Sequence, residues 1–145
     1  MKHAAGRIAL LFAALLWIAL SMHDIARAQD PQTTIVQKAA RDWLALTDRG
    51  DAKASWNAAG KQFQSAISAD RWAEGLKALR LPLGAIAGRT MLSTEFTKSF
   101  PGAPDGDYAM LVFRTNFGKK TDGRETVTLQ RESDGNWRVI GYSIL

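Results

Sequence analysis

The spacing of apolar residues changes partway along this chain, and the change falls in the stretch RLPLGAIAGR at residues 80–89. Before it, Val36, Ala39, Ala40, Trp43, Leu44 and Thr47 recur at steps of three and four, the repeat of one helix face. After it, Thr90, Leu92, Thr94 and Phe96 alternate with Arg89, Met91, Ser93 and Glu95, the repeat of a strand. Leu81 precedes a proline, which biases it out of the helical region, and Gly84 is free to reverse the chain. The stretch therefore reads as a joint between a helical layer and a sheet rather than as a ligand loop. A chain built this way segregates helices from strands.

The helical part divides at its caps. A first helix is expected from Thr34, with Gln37 as capping-box partner, and Gly50 ends it in a left-handed position. Asp51 caps a short second helix that Gly60 closes, and Phe63, Ala66 and Ile67 continue on a third. Ser68 caps ADRWAEGLKALR, with Trp72, Leu76 and Leu79 as its buried face. Gly75 inside that helix costs about 1 kcal/mol against alanine, and close packing is the expected reason.

Beyond the joint, strands are expected over 87–97, 108–117, 125–131 and 137–145, with GKKTDG at 118–123 as a turn. Leu111, Val112 and Phe113 place apolar side chains on both faces of the second strand, so it should be central and covered on both sides. A two-residue turn at Asp134-Gly135 would set Arg131 opposite Arg138; a longer loop with a left-handed Gly135 sets Arg131 opposite Trp137 and avoids the like-charge pair. The expected fold is α+β, with N-terminal helices packed on a curved, four-stranded antiparallel sheet. That cone-like arrangement is similar to nuclear transport factor 2-like and cystatin-like proteins.

The N-terminus carries a different signal. Lys2 and Arg7 precede the apolar run IALLFAALLWIAL at 8–20, and Ala26-Arg27-Ala28 precedes Gln29. A basic start, a short apolar run and a small-x-small exit make residues 1–28 a signal peptide, cut after Ala28, leaving 29–145 as one domain. The run is shorter than the roughly 20 residues that a membrane span needs, so no stable span is expected after cleavage. The chain would leave the inner membrane for the periplasm. Removing the leader takes Lys2, Arg7, Arg27 and Asp24, so the formal charge of +5 falls by two. The basic residues that stay are scattered, and no patch suited to nucleic acid stands out.

What is missing narrows the chemistry. The chain has no Cys, and its two His, His3 and His23, both lie in the leader. Ser-His-Asp and Cys-His nucleophiles, His-bound zinc and thiolate metal sites are therefore excluded from the mature chain. Carboxylate, Lys or Tyr chemistry stays open. No cofactor or metal site is expected, and Asp105 and Asp107 fit no calcium-loop spacing.

With these motifs laid out, residues 29–145 resemble the secreted family catalogued as domain of unknown function 4019. The resemblance rests on Ser55-Trp56, Trp72 with Leu76, Arg80-x-Pro82-Leu83-Gly84 and Arg89, then on Pro101-Gly102-x-Pro104-Asp105-Gly106-x-Tyr108 and Thr115-x-Phe117. It continues through Glu125-Thr126-Val127-Thr128, Asp134-Gly135-x-Trp137-Arg138-Val139 and Gly141-Tyr142. It implies export and the domain boundaries, and it transfers no activity, substrate or catalytic residue.

Five residues are candidates for a ligand pocket. Trp56, on the short second helix, is placed to edge a cavity, whereas Trp43 and Trp72 lie on core stripes. Glu95 shares a strand phase with Arg89 and Met91; it is a general base if that face lines a pocket and a solvated residue if not. Arg114 shares a face with Tyr108, Met110 and Val112 and needs a carboxylate or an anionic ligand if buried, with Glu125 as the internal partner. Tyr142 would add a hydroxyl to the same pocket. The sequence therefore favours a non-catalytic domain of the cell envelope that binds a small ligand or an envelope protein, with homodimerisation through the sheet compatible. The alternative is a carboxylate-based lyase or isomerase.

Overall fold

The computed structural model describes residues 30–145, and the expected leader lies outside the described residues. Helix α1 spans Pro31–Asp48, three residues longer at its start than the capping-box pattern predicts. Proline suits the first helical position because its missing N–H would have no partner there anyway. Gln37, freed from capping, donates across the layers to the Thr94 hydroxyl at 3.1 Å. Val36, Ala40, Trp43, Leu44 and Thr47 form the buried face of α1, as the stripe predicts. Gly50, at φ 71°, closes the helix and Asp51 caps α2, Ala52–Ala58, by accepting from the Ala54 N–H. Helix α3, Lys61–Ala66, takes its cap from afar: the Glu132 carboxylate accepts from the Lys61 N–H at 2.7 Å.

Helix α4, Ala69–Arg80, begins at Ser68 as expected and buries Trp72 and Leu76. Gly75 does not serve close packing, because a Cβ placed there meets nothing within 4 Å. Three indole N–H groups tie these helices together. Trp43 donates to the Ser55 carbonyl, Trp72 to the Ser55 hydroxyl and Trp56 to the Ile67 carbonyl, all at 2.8–2.9 Å. Satisfying each N–H internally lets the rings be buried without leaving an orphan donor.

At the joint, Leu81 stays in the right-handed helical region despite Pro82, and its N–H still reaches the Lys77 carbonyl. The pre-proline bias is overridden because the turn is pinned twice: Leu83 donates to Arg80, and Lys119 donates to Leu83 at 2.9 Å. Gly84 supplies the φ of 77° that reverses the chain.

The sheet is an antiparallel meander in the order β1-β2-β3-β4, from strands Ile86–Thr97, Tyr108–Phe117, Lys120–Arg131 and Trp137–Ile144. Among the described residues, four helices beside one four-stranded antiparallel sheet make the fold α+β, as the period change implies. Strand β3 starts earlier than expected because the turn is only Gly118-Lys119, with Phe117 opposite Lys120. Its irregular start places Asp122 at φ 61° and Gly123 against the Phe117 ring. The last hairpin takes the longer loop, with Arg131 opposite Trp137 and Gly135 at φ 82°. Strand β2 lies inside the sheet, but the helices cover one face, so Leu111 and Phe113 are buried while Val112 is only half-buried.

One irregularity decides where later residues point. Between Met91 and Ser93 the register of β1 slips by one residue against β2. Such a bulge switches every following side chain to the other face. Arg89 and Met91 face the helices with Thr115 and Phe113, whereas Glu95 pairs with Met110 on the outer face and is exposed. The uninterrupted alternation read from the sequence put Glu95 with Arg89 and Met91. The bulge corrects that placement.

Candidate functional site

The polar centre of the molecule lies at one end of the sheet, where the C-termini of α1 and α4 arrive. Asp48 is the last residue of α1 and Arg80 the last of α4. Arg89 comes from β1, Thr115 from β2, Glu125 from β3 and Tyr142 from β4. Six elements thus contribute one residue each. The strand alternation explains the inward aim of Glu125, which shares its phase with the buried Val127 and Leu129.

The Glu125 side chain is fully buried, and four donors surround it. Its Oε1 accepts from the Tyr142 hydroxyl at 2.6 Å and more distantly from Arg80 Nη1 at 3.5 Å. Its Oε2 accepts from Arg89 Nε at 2.6 Å and from the Thr115 hydroxyl at 2.5 Å. A carboxylate offers about four lone-pair sites, so this one is saturated. Asp48 is clamped in turn: Arg89 reaches it with both terminal nitrogens at 2.8 and 2.9 Å, and Arg80 Nη2 adds a third bond at 2.9 Å. Two cations and two anions therefore form a closed, electrically balanced quartet.

The surroundings reinforce it. The Arg80 guanidinium lies 5.2 Å from the centre of the Phe117 ring, and Arg89 lies 6.0 Å from Phe113. The Tyr142 ring meets Trp43 edge-to-face at 5.3 Å, linking the quartet to the core. Burial, together with the negative charge of Glu125, pushes the Tyr142 hydroxyl well above the ordinary tyrosine range. Burial alone would lower the Arg89 pKa, but its hydrogen bonds to Asp48 and Glu125 outweigh that and leave it raised. Tyr142 therefore stays a donor and Arg89 a cation throughout the physiological range.

A cleft of about 540 Å³ opens beside this quartet, between the end of α1 and the last turns of α4. Asp48 and Arg80 form its inner wall, Leu76, Ala73 and Ala85 supply apolar surface, and Arg49, Lys77 and Leu81 stand at its rim. The volume lies within the range of small-molecule sites. Among the described residues, no group of three or more His, Asp or Glu side chains is arranged to hold a metal ion.

The residues singled out from sequence are dispersed. Tyr142 is a hydroxyl partner of the quartet, donating to Glu125. Arg114 lies apart, on the outer face opposite Arg124, more than half exposed, with Asp122 4.0 Å away. The expected Arg114–Glu125 pair is therefore corrected to pairs of Glu125 with Arg89 and Arg80. Positions 114 and 125 sit in opposite phases of adjacent strands, which puts their side chains on different faces. Tyr108 is also on the outer face but buried, because the 100–107 loop folds over it. Its hydroxyl donates to the Pro104 carbonyl at 2.5 Å, and its ring lies 5.8 Å from Phe100. Trp56 packs half-buried against the helical core, away from the cleft lining. Sequence reasoning missed Asp48, Thr115 and the inward roles of Arg80 and Arg89. The available signal was charge in an apolar phase: Arg89 with Met91, and Glu125 with Val127 and Leu129.

Comparison with family models matches residues 39–142 to the family described as Protein of unknown function (DUF4019). The chain belongs to DUF4019. No curated protein and no solved structure matches it. The DUF4019 match encloses all six residues of the quartet and its two hydroxyl partners, from Asp48 to Tyr142. Arg80, Arg89, Glu125 and Tyr142, which lie far apart in the motifs that carry the DUF4019 resemblance, meet there within hydrogen-bond distance.

Proposed function

We propose that this DUF4019 protein is an exported, non-catalytic binding domain of the cell envelope, which holds a small ligand in the cleft beside Asp48 and Arg80. The observation that carries this reading is the saturation of Glu125. It is the one fully buried carboxylate among the described residues, and four donors occupy it while an open cleft lies alongside. A general base needs a free lone pair within reach of the substrate proton. Glu95, the acid that the lyase or isomerase reading relied on, is exposed on the outer face. The balance of features favours binding over turnover.

Export is supported by the basic start, the apolar run at 8–20 and the Ala26-Arg27-Ala28 exit. Among the described residues, no helix is long and apolar enough to cross a membrane. Fractionation of cells expressing the full chain should recover a product beginning near Gln29 outside the cytoplasm. A cytoplasmic product retaining Met1 would refute export.

The binding reading is tested by native mass spectrometry of protein purified from such cells. The wild type should carry a small molecule that is recovered chemically unchanged. Ala73→Trp, which fills the cleft from an exposed position, should abolish that mass. A molecule retained equally by Ala73→Trp would place binding elsewhere, and a molecule converted on incubation would restore the enzyme reading.

A further inference from the structure

We infer that the cleft selects a single-chain amphipathic anion, with its acidic head at Arg49 and Lys77 and its apolar tail along α4. This deepens the binding reading above and rests on it. The cleft lining contains three cations, Arg49, Lys77 and Arg80, and one acid, Asp48. That acid is already bound by three arginine nitrogens, so it does not answer the rim charges. Among the described residues, neither Arg49 nor Lys77 lies within ion-pair distance of a carboxylate, and both are exposed at the mouth.

An alternative role for these cations is to serve the carbonyls at the ends of α1 and α4. Backbone donors already meet those carbonyls. Gly50 and Asp51 donate to Thr47 and Leu46 at 3.0 Å, while Leu81 and Leu83 donate to Lys77 and Arg80 at 3.0 and 3.1 Å. The adjacent acid, Asp51, is engaged in capping α2. Two cations are thus left facing open space over an apolar wall.

The apolar side is equally unanswered. Leu81 is 64 % exposed and lines the cleft together with Ala85 and Leu76. An exposed leucine beside unpaired cations matches a ligand carrying both a charged head and a hydrocarbon chain. A carboxylate and a phosphate monoester share this head chemistry, and arginine and lysine accept either. Each methylene buried against the wall strengthens binding about fourfold.

The test is titration calorimetry on protein purified from cells expressing the full chain, stripped of bound small molecules. The probes are octanoate, octyl phosphate, acetate, inorganic phosphate, octanol and octyltrimethylammonium. Octanoate or octyl phosphate should bind about tenfold or more tightly than acetate or inorganic phosphate, and than octanol or octyltrimethylammonium. Preference between the two octyl anions identifies the head as carboxylate or phosphate. Lys77→Glu and Arg49→Glu should each weaken that binding about tenfold. Arg114→Glu, on the opposite face, should leave it unchanged. Octanol or octyltrimethylammonium binding as tightly, with no effect of Lys77→Glu, overturns the anion selectivity while the cleft reading stands. Acetate or phosphate binding as tightly as its octyl counterpart overturns the role of the tail. If no octyl probe binds, this inference falls, and the Ala73→Trp mass measurement decides separately whether the cleft holds a ligand at all.

Discussion

Replacing Glu125 with glutamine keeps its shape and removes its charge. The change leaves Arg80 and Arg89 sharing only Asp48, and it turns one of the two acceptor atoms into an NH₂ facing donors. With a guanidinium centre about 4 Å from the carboxylate, each lost attraction is worth about 4 kcal/mol at an effective dielectric of 20. Part of that is returned because the carboxylate no longer has to be desolvated, a term of several kcal/mol. The net expectation is a loss of about 3–5 kcal/mol, the usual cost of breaking a buried pair from one side. For a domain of this size it should lower Tm by about 15 °C. Urea denaturation of protein from cells expressing the full chain measures it directly. The double variant Arg89→Gln/Glu125→Gln should lose less than the sum of its single changes. Arg114→Ala is the control, and its exposed contact with Asp122 at 4.0 Å predicts a change within about 0.5 kcal/mol. A loss below about 1 kcal/mol for Glu125→Gln, or a larger loss for Arg114→Ala, would refute the assignment of Glu125 to the arginines of the joint.

Three further outcomes are expected. The raised Tyr142 pKa means that the folded state favours the neutral hydroxyl. Its contribution is complete below the unfolded tyrosine value of about 10 and is lost as pH rises past it, so Tyr142→Phe should flatten alkaline unfolding monitored by tyrosine absorbance. Gly75→Ala fills open space in α4 and should stabilise the protein by up to about 1 kcal/mol in the same urea assay. Gly123→Ala should destabilise it by about 1–3 kcal/mol, because the new methyl would stand 2.9 Å from the Phe117 ring and 3.1 Å from the Thr115 carbonyl.

Much of the fold was legible in the sequence because local chemistry and tertiary structure agree. Asp51, Ser68, Gly50 and Gly135 do what their side chains or conformational freedom favour, and the α1 stripe is buried as spaced. Disagreements arose where a distant contact outweighed a local preference. Leu81 remains helical before proline because Lys119 holds the turn, and α3 is capped by Glu132 from across the chain. The bulge after Met91 leaves no mark in the residue types around it, so the phase of Glu95 was not readable. The quartet was hidden for a related reason. Its members are identified by strand phase and by which helix end reaches which strand, and neither is written in any short motif.

The quartet also bears on the order of events in folding. Its bonds join residues as far apart as 32, 36, 41 and 45 positions along the chain. The ring as a whole cannot close until the meander has formed and both helix ends have docked on it. Interactions completed after the rate-limiting barrier slow departure from the native state more than they speed arrival. In a chevron analysis, Glu125→Gln should lift the unfolding arm and leave the refolding arm nearly in place. The closed ring of charge then works as a latch, setting how long each folded molecule survives before it opens.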